Sequence, residues 1–346
     1  MTRLGRRGAV WALVLAAALA LGGCRGLQTM LDPVGDQARH IGDIWRLMLV
    51  ICGVMYVLVL GFLAWALVRA RRSARAAATP PEPAAGHTAA EPLLERSLSG
   101  WAALIVAGLV VLVTVSFLVD RSLADVGPNP LQVKVTAHQW WWEVQYQQQD
   151  GTPQLVTANE LHLPLNRPAV VELHSQDVIH SFWVPNLAGK TDLIPGRTNY
   201  VALTPRRLGP LRGQCAEFCG LEHAKMAFDV TVETPQAFQA WRARQLTVAE
   251  PPADPAAVHG KQLFESKACA LCHSVRGSEA GASNGPDLTH LMSRAHLAAG
   301  ARPMSRGDLA AWIADPQGVK PGTPMPRVGL TGPELNDVVS YLETLK

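Results

Sequence analysis

The sequence predicts a two-helix transmembrane hairpin, an all-β sandwich and an all-α domain, joined in one chain of 346 residues. Three observations carry this reading. Two uncharged apolar runs, 47–68 and 97–119, each reach the roughly 20 residues needed to span a bilayer. From about Asp125 the chain breaks into short alternating segments punctuated by turn residues, the pattern of a sandwich or barrel. After a Pro-rich linker at 246–256, residues 257–346 read as helices set around a Cys-x-x-Cys-His sequence.

At the N-terminus, Arg3, Arg6 and Arg7 precede an uncharged stretch from Gly8 to Gly23. A basic segment followed by an apolar one and small residues is a secretory signal, here residues 1–23. Leu21-Gly22-Gly23-Cys24 resembles a bacterial lipobox, in which the cysteine is lipidated and becomes the new N-terminus. The hairpin is expected over 40–122, with helices at about 45–68 and 98–120. Arg69, Arg71, Arg72 and Arg75 lie between the two runs and mark that loop as cytoplasmic. Both flanks of the hairpin then lie outside the cytoplasm. The basic excess belongs to this part: residues 1–124 hold 12 Lys/Arg against 7 Asp/Glu. A net charge of only +3 over the chain gives no support for nucleic-acid binding.

In the β region (125–245), Leu131–Thr136 alternates with period two, and 144–147, 169–174, 199–204 and 227–233 are also strand-like. Asp150-Gly151, Pro164, Pro195-Gly196 and Gly209-Pro210 supply turns. The six cysteines do not form a disulfide framework: Cys24 and Cys52 stand alone, and the others form the pairs Cys215/Cys219 and Cys269/Cys272. Cys52, inside the first apolar run, is expected to be a small packing residue.

The stretch from Cys215 to Met226 concentrates chemistry. Cys215, Glu217, Cys219, His223 and Met226 fall within twelve residues. Thiolates and thioethers are soft ligands that select copper, zinc or iron, and imidazole suits copper. The spacing is unlike a zinc ribbon or finger, which places a second ligand pair far from the first. The asymmetric set points to a copper electron-transfer site, and His180 in Asp177-Val178-Ile179-His180 is the best further ligand. His138, His162 and His174 match no ligand position and are expected at the surface or satisfied by neighbours.

Cys269-Ala270-Leu271-Cys272-His273 is the c-type haem attachment motif. The two thiols add across the haem vinyl groups, and His273 becomes the proximal ligand. Met325 is the expected sixth ligand, since Pro321-Gly322-Thr323-Pro324-Met325-Pro326 resembles the Met-bearing loop of class I cytochromes c. It is preferred to Met304, which opens a predicted helix at 306–314. Helices are also expected at about 256–268 and 333–345; in the small cytochromes c that this domain resembles, the last helix crosses the first.

These motifs resemble subunit II of haem–copper cytochrome c oxidases with a fused class I cytochrome c domain, the caa3 type. That family joins a membrane hairpin to a cupredoxin domain carrying the dinuclear copper centre CuA. The match covers about 40–245 for subunit II, and the cytochrome resemblance covers the remaining C-terminal domain. The resemblance implies that Cys215 and Cys219 bridge two coppers, that His180 and His223 bind one each, and that Met226 is a weak axial ligand. It implies that Glu217 ligates through its carbonyl and that its side chain serves a Mg or Mn site shared with subunit I. It makes Trp140, first of Trp140-Trp141-Trp142, the surface residue through which electrons enter; Trp141 and Trp142 are expected to pack on a strand. It assigns Asn284–Leu288 to the loop whose proline backs the proximal histidine.

The implied function is respiratory. Electrons from a soluble cytochrome c or another periplasmic donor reach haem c, then CuA, then subunit I, where O2 is reduced to water with proton translocation. The implied location is the bacterial cytoplasmic membrane, crossed more than once, with both cofactor domains on the outer side. Two other readings share parts of the pattern: an electron-input subunit of a CuA-containing nitric oxide reductase, and a copper chaperone for oxidase assembly on a thioredoxin-like fold. The sequence departs from the family in one place: Glu95 is the only candidate for the carboxylate that opens a proton path, and it is displaced from the usual position before Trp101. The β domain also lacks an acidic excess for docking a basic donor, a need that a tethered cytochrome would lessen by raising its effective concentration.

Overall fold

The computed structural model describes residues 26–76, 91–123 and 126–346. The expected signal segment and Cys24 lie outside the described residues. The chain divides into two bodies, residues 40–125 and the remainder.

The first body is built from two helices, α1 (Asp36–Ala76) and α2 (Glu91–Leu123). Both run beyond the apolar stretches that predict them, because polar and charged residues at each end are good helix formers. Their apolar spans are unburied on all sides, and a helix apolar all round requires lipid or a protein interior. Gly108 of α2 faces Ile51 of α1, with room for a Cβ in ordinary contact. Cys52 lies on the apolar span of α1, exposed in the chain by itself.

In the second body two five-stranded sheets face each other. The first has the order β3 (Pro153–Ala158), β2 (Trp141–Gln147), β1 (Leu131–His138), β5 (Ala169–Ser175), β8 (Asn199–Leu203). The other has the order β4 (Glu160–Pro164), β10 (Ala227–Glu233), β9 (Gly209–Cys215), β6 (His180–Trp183), β7 (Thr191–Leu193). The period-two pattern of β1 becomes strict alternation of buried and half-exposed residues. Val133, Val135, Trp142, Val144, Leu161, Val171, Phe182 and Val230 fill the core; each large apolar side chain so buried contributes about 1.5–3 kcal/mol. Gly213 on β9 is required there, since Phe228 of the paired strand β10 occupies the space a Cβ would need.

Two further features lie outside the elements expected from the sequence. Residues 26–35 and the first turn of α1 form a strap along the sandwich. Asn186 accepts from the Thr29 amide and donates to the carbonyls of Gly26 and Asp32. Arg206 pairs with Asp36 and Arg207 with Asp32. A helix, α3 (Pro235–Gln245), follows β10; the Thr234 hydroxyl accepts from the Ala237 amide and caps it. Its Phe238 and Trp241 close one end of the core against Tyr146.

The C-terminal domain is helical: α4 (Pro255–Ser266), α5 (Arg306–Ala314), α6 (Pro316–Val319) and α7 (Gly332–Leu342). Asp254, Ser305 and Thr331 cap α4, α5 and α7, the last with a full capping box through Glu334. The first helix crosses the last at Gly260, where a Cβ would lie 1.9 Å from the Asp337 carbonyl oxygen. Phe264 and Tyr341 meet edge to face beside the crossing.

The helical domain is packed on the sandwich. The Ala227 amide at the start of β10 donates to the Ala299 carbonyl at 2.9 Å. His296 pairs with Asp229 at 2.8 Å, and buried Arg294 lies 3.8 Å from buried Glu160. The linker is also engaged, with the Ala249 amide donating to the Arg276 carbonyl.

Glu160 and Glu233 flank His162, which stacks on Trp241 with ring centroids 4.0 Å apart. Burial would lower the His162 pKa, but hydrogen bonds to the two carboxylates raise it above its ordinary 6.5. Stability from this pairing is therefore complete below pH 6.5 and lost as pH rises through the raised value. Burial opposes ionisation of Glu160, yet His162 and Arg294 hold its pKa below the usual carboxylate value. Its contribution is lost only in acid. His162→Gln should destabilise the chain by about 1–3 kcal/mol at pH 6 and flatten the decline of Tm above neutrality, as thermal unfolding followed by circular dichroism across pH would report.

Candidate metal centre and haem cavity

Strand β9 ends at Cys215 and β10 begins at Ala227, so the intervening loop is anchored at both ends by an antiparallel pair. The Cys215 amide donates to the Met226 carbonyl at 2.9 Å. Those two residues thus sit side by side, and a 3-10 turn at His223–Lys225 folds the loop back toward them. His180 opens β6, which pairs with β9 through Phe182 and Cys215. The scaffold thereby gathers residues 35 to 46 positions apart.

The donor atoms converge. Cys215 Sγ and Cys219 Sγ are 3.7 Å apart, far beyond a disulfide bond. His180 Nδ1 is 3.8 Å from Cys215 Sγ, and His223 Nδ1 is 3.6 Å from Cys219 Sγ. Met226 Sδ is 3.8 Å from Cys219 Sγ, and the Glu217 carbonyl oxygen is 3.2 Å from Cys215 Sγ. Two sulfurs at the centre with an imidazole nitrogen beyond each, a thioether near one and a carbonyl near the other, is a donor set that fits soft metal ions bridged by thiolates. His180, Cys215 and Cys219 are buried.

The surroundings set the protonation of these groups. Asp177 Oδ1 lies 2.8 Å from His180 Nε2, so that nitrogen carries the proton and Nδ1 presents its lone pair to the sulfurs. Burial works against a charged His180, but Asp177 and Cys215 raise its pKa. The neighbouring Cys219 thiol holds the Cys215 pKa well below the ordinary thiol value. Cys219 is in turn pushed up by Cys215. The Glu217 side chain is half-exposed and pairs with Lys190 at 3.1 Å.

Trp140 corrects an expectation: it is not a surface residue. It is 7% exposed, because the fused helical domain covers it. Gly322 of the Met325-bearing loop packs on its six-membered ring from that domain, and Gly220 of the metal loop packs on it from the sandwich. Its indole Nε1 donates to the Cys219 carbonyl at 2.8 Å, as does Gln139 Nε2. Trp142 is fully buried and meets His180 edge-on at 6.2 Å, while Trp141 stacks on His138 at 4.3 Å. His174 pairs with Glu172.

In the helical domain one cavity is lined by Cys269, Cys272, His273 and Met325 together. A 3-10 turn at Ala268–Leu271 sets the cysteines and His273 around its mouth, the Cys272 and His273 amides both donating to the Cys269 carbonyl. Burial lowers the His273 pKa, and its Nδ1 donates to the Pro286 carbonyl at 2.8 Å. A neutral ring so oriented leaves Nε2 free for iron. Gly285 lies flat against this ring, where a Cβ would come within 2.9 Å. The donor pair and the predominantly apolar walls fit a covalently held haem. Met304 does not line the cavity; it packs on the helical core. Trp140, Trp141 and Asn159 of the sandwich complete the wall, as does Lys320. Lys320 is a site residue that sequence reasoning missed; burial pushes its ammonium down to about 7, with Glu222 acting the other way.

A soft-metal donor set on a β-sandwich, packed against a haem-binding helical domain, defines an electron-transfer protein. The chaperone reading fails here, since the cysteines lie on a sandwich and not on a thioredoxin-like fold. Residues 147–233 match the family model described as cytochrome c oxidase subunit II, periplasmic domain, and 257–346 match that of cytochrome c. The chain is 33% identical over 337 residues to cytochrome c oxidase subunit 2 of Alkalihalophilus pseudofirmus, covering 95% of this chain and 94% of that one. It is 29% identical over 360 residues to the Bacillus subtilis protein of the same name, covering 97% and 98%. With that of Bacillus sp. strain PS3 it shares 31% over 266 residues, covering 71% and 73%. The chain belongs to the cytochrome c oxidase subunit 2 family. It is a membrane-anchored member with a cytochrome c domain, and its two family domains imply copper and haem c.

Replacing Asp177 with Ala frees the His180 ring and its tautomer. Copper affinity of the purified chain should fall about 10–100-fold, measured by competitive metal titration.

Proposed function

We propose that this chain is the electron-input subunit of a respiratory haem–copper cytochrome c oxidase, passing electrons from its own haem to a dinuclear copper centre and on to subunit I. The observation that carries the reading is the shared position of Trp140: its ring walls the haem cavity while its Nε1 holds the carbonyl of Cys219. His180, Cys215, Glu217 (through its carbonyl), Cys219, His223 and Met226 would hold CuA, which supplies a centre whose unpaired electron is spread over two metals. Cys269, Cys272, His273 and Met325 would hold haem c, whose potential His/Met ligation raises.

The chain's own residues have definite tasks. Asp177 fixes the His180 tautomer, and Pro286 fixes that of His273. Trp142 and Phe182 are buried beside the site, Trp142 edge-on to His180 and Phe182 in register with Cys215. Trp140 joins the two sites through one ring and one hydrogen bond. Because the fused domain covers Trp140, a soluble cytochrome c or another periplasmic donor would deliver electrons to the haem domain and not to the sandwich. The exposed Glu217 carboxylate is the group for a Mg or Mn site shared with subunit I; Lys190, which now pairs with it, would release it on assembly. Oxygen reduction and proton translocation belong to subunit I. Both domains then lie on the outer side of the cytoplasmic membrane, with the Arg-rich loop inside.

Cys215→Ser should abolish the near-infrared copper band and leave the haem c spectrum intact. Survival of that band would refute the copper assignment. Turnover of the purified complex with O2, set against its turnover with nitric oxide, separates an oxidase from a nitric oxide reductase.

A further inference from the structure

We propose that Lys320 is a positioning residue for transfer between the haem cavity and the metal centre, holding the Gln139–Trp140 turn against the haem-bearing domain. The inference rests on the assignment of the two sites above.

Lys320 is 2% exposed. Its Nζ donates to the Trp140 carbonyl at 2.6 Å and to the Ala298 carbonyl at 3.1 Å. One acceptor belongs to the sandwich and the other to the helical domain. Burying an ammonium is costly unless it is well hydrogen-bonded, so a lysine kept in this place needs a reason that an apolar residue would not meet. The remaining contacts give that reason. Trp140 is held from below by its Nε1 bond to the Cys219 carbonyl. It is flanked by Gly220 and Gly322, both with positive φ and both close enough that a Cβ would touch the ring. Nothing else among the described residues bonds its carbonyl across the domain boundary. Lys320 also follows α6 directly and stands five residues before Met325, so the same side chain ties the Met-bearing loop to the turn. Its neighbour Val319 accepts from Lys225 of the metal loop at 3.0 Å.

The domains have independent attachments in Arg294–Glu160, His296–Asp229 and Ala227–Ala299. Loss of Lys320 therefore leaves the domains joined and frees only the turn. In the transfer itself one electron leaves reduced haem and reduces the oxidised copper centre; Lys320 gives up neither electron nor proton.

The test is flash reduction of the haem in the purified complex, followed optically at the copper band. Lys320→Met, similar in length and apolar, should slow haem-to-copper transfer on the order of tenfold or more, with both absorption spectra and both midpoint potentials unchanged. Lys320→Arg, which keeps a cation with donors, should restore most of the rate. A wild-type rate in Lys320→Met, or a slowed rate accounted for by a shifted potential, would overturn the proposal. A wild-type complex with both spectra present but no haem-to-copper transfer would remove the functional reading itself, and this inference with it.

Discussion

The turn at Gln139–Trp140 is held from two sides, by the Cys219 carbonyl within the sandwich and by the Lys320 ammonium from the helical domain. The rest of the arrangement depends on this double hold. The Cys219 carbonyl accepts two side-chain donors, so the loop that carries the second thiol is fixed by the turn as well as by its own strands. The haem cavity takes part of its wall from the same turn. One tryptophan thus belongs to both sites, and the haem cavity is not complete within one domain.

The metal loop is preorganised by backbone pairing. Cys215 and Met226 are joined by a main-chain hydrogen bond, and Phe182 of β6 is registered against Cys215. Such a site has little to rearrange when its charge changes, the property that repeated electron transfer needs. The helical domain follows the same economy: Gly260 lets the first and last helices touch, and Gly285 lets a loop lie against His273. Where the two domains meet, the ionic contacts are few and two of their members, Glu160 and Arg294, are buried. Removing one partner of a buried pair is costly, which favours a fixed mounting over a loose tether. The near-neutral charge of the sandwich fits this mounting, since it has no need to attract its nearest donor through solution.

Much of this was readable in the sequence because the signals were local. Soft ligands within twelve residues, a Cys-x-x-Cys-His run and two long apolar stretches need no tertiary knowledge. The period-two alternation of β1 also follows from neighbours in the chain. What escaped was non-local or weakly patterned. Strands β6 and β7 have four and three residues, too short for a periodic signal. β9 contains Gly209, Pro210 and Gly213, which read as turn residues until Phe228 is seen to need the space over Gly213. Thr234-Pro235 did offer a start signal for α3, of the kind that marks a helix N-terminus. The strap at 26–35 has no periodicity and is held by residues distant in the chain, Asn186 and Arg207 among them. The burial of Trp140 and Lys320 depends on which faces of two domains meet, and no local pattern encodes that.

The central claim is that the haem domain is already seated for transfer and makes no excursion before each electron. The direct measurement is the wild-type haem-to-copper transfer rate, followed after a reducing flash while ionic strength and solvent viscosity are varied. A seated domain predicts a single phase insensitive to both. A rate that falls in proportion to viscosity, or drops steeply with salt, would mean that the domain must first find its place, and would contradict the account.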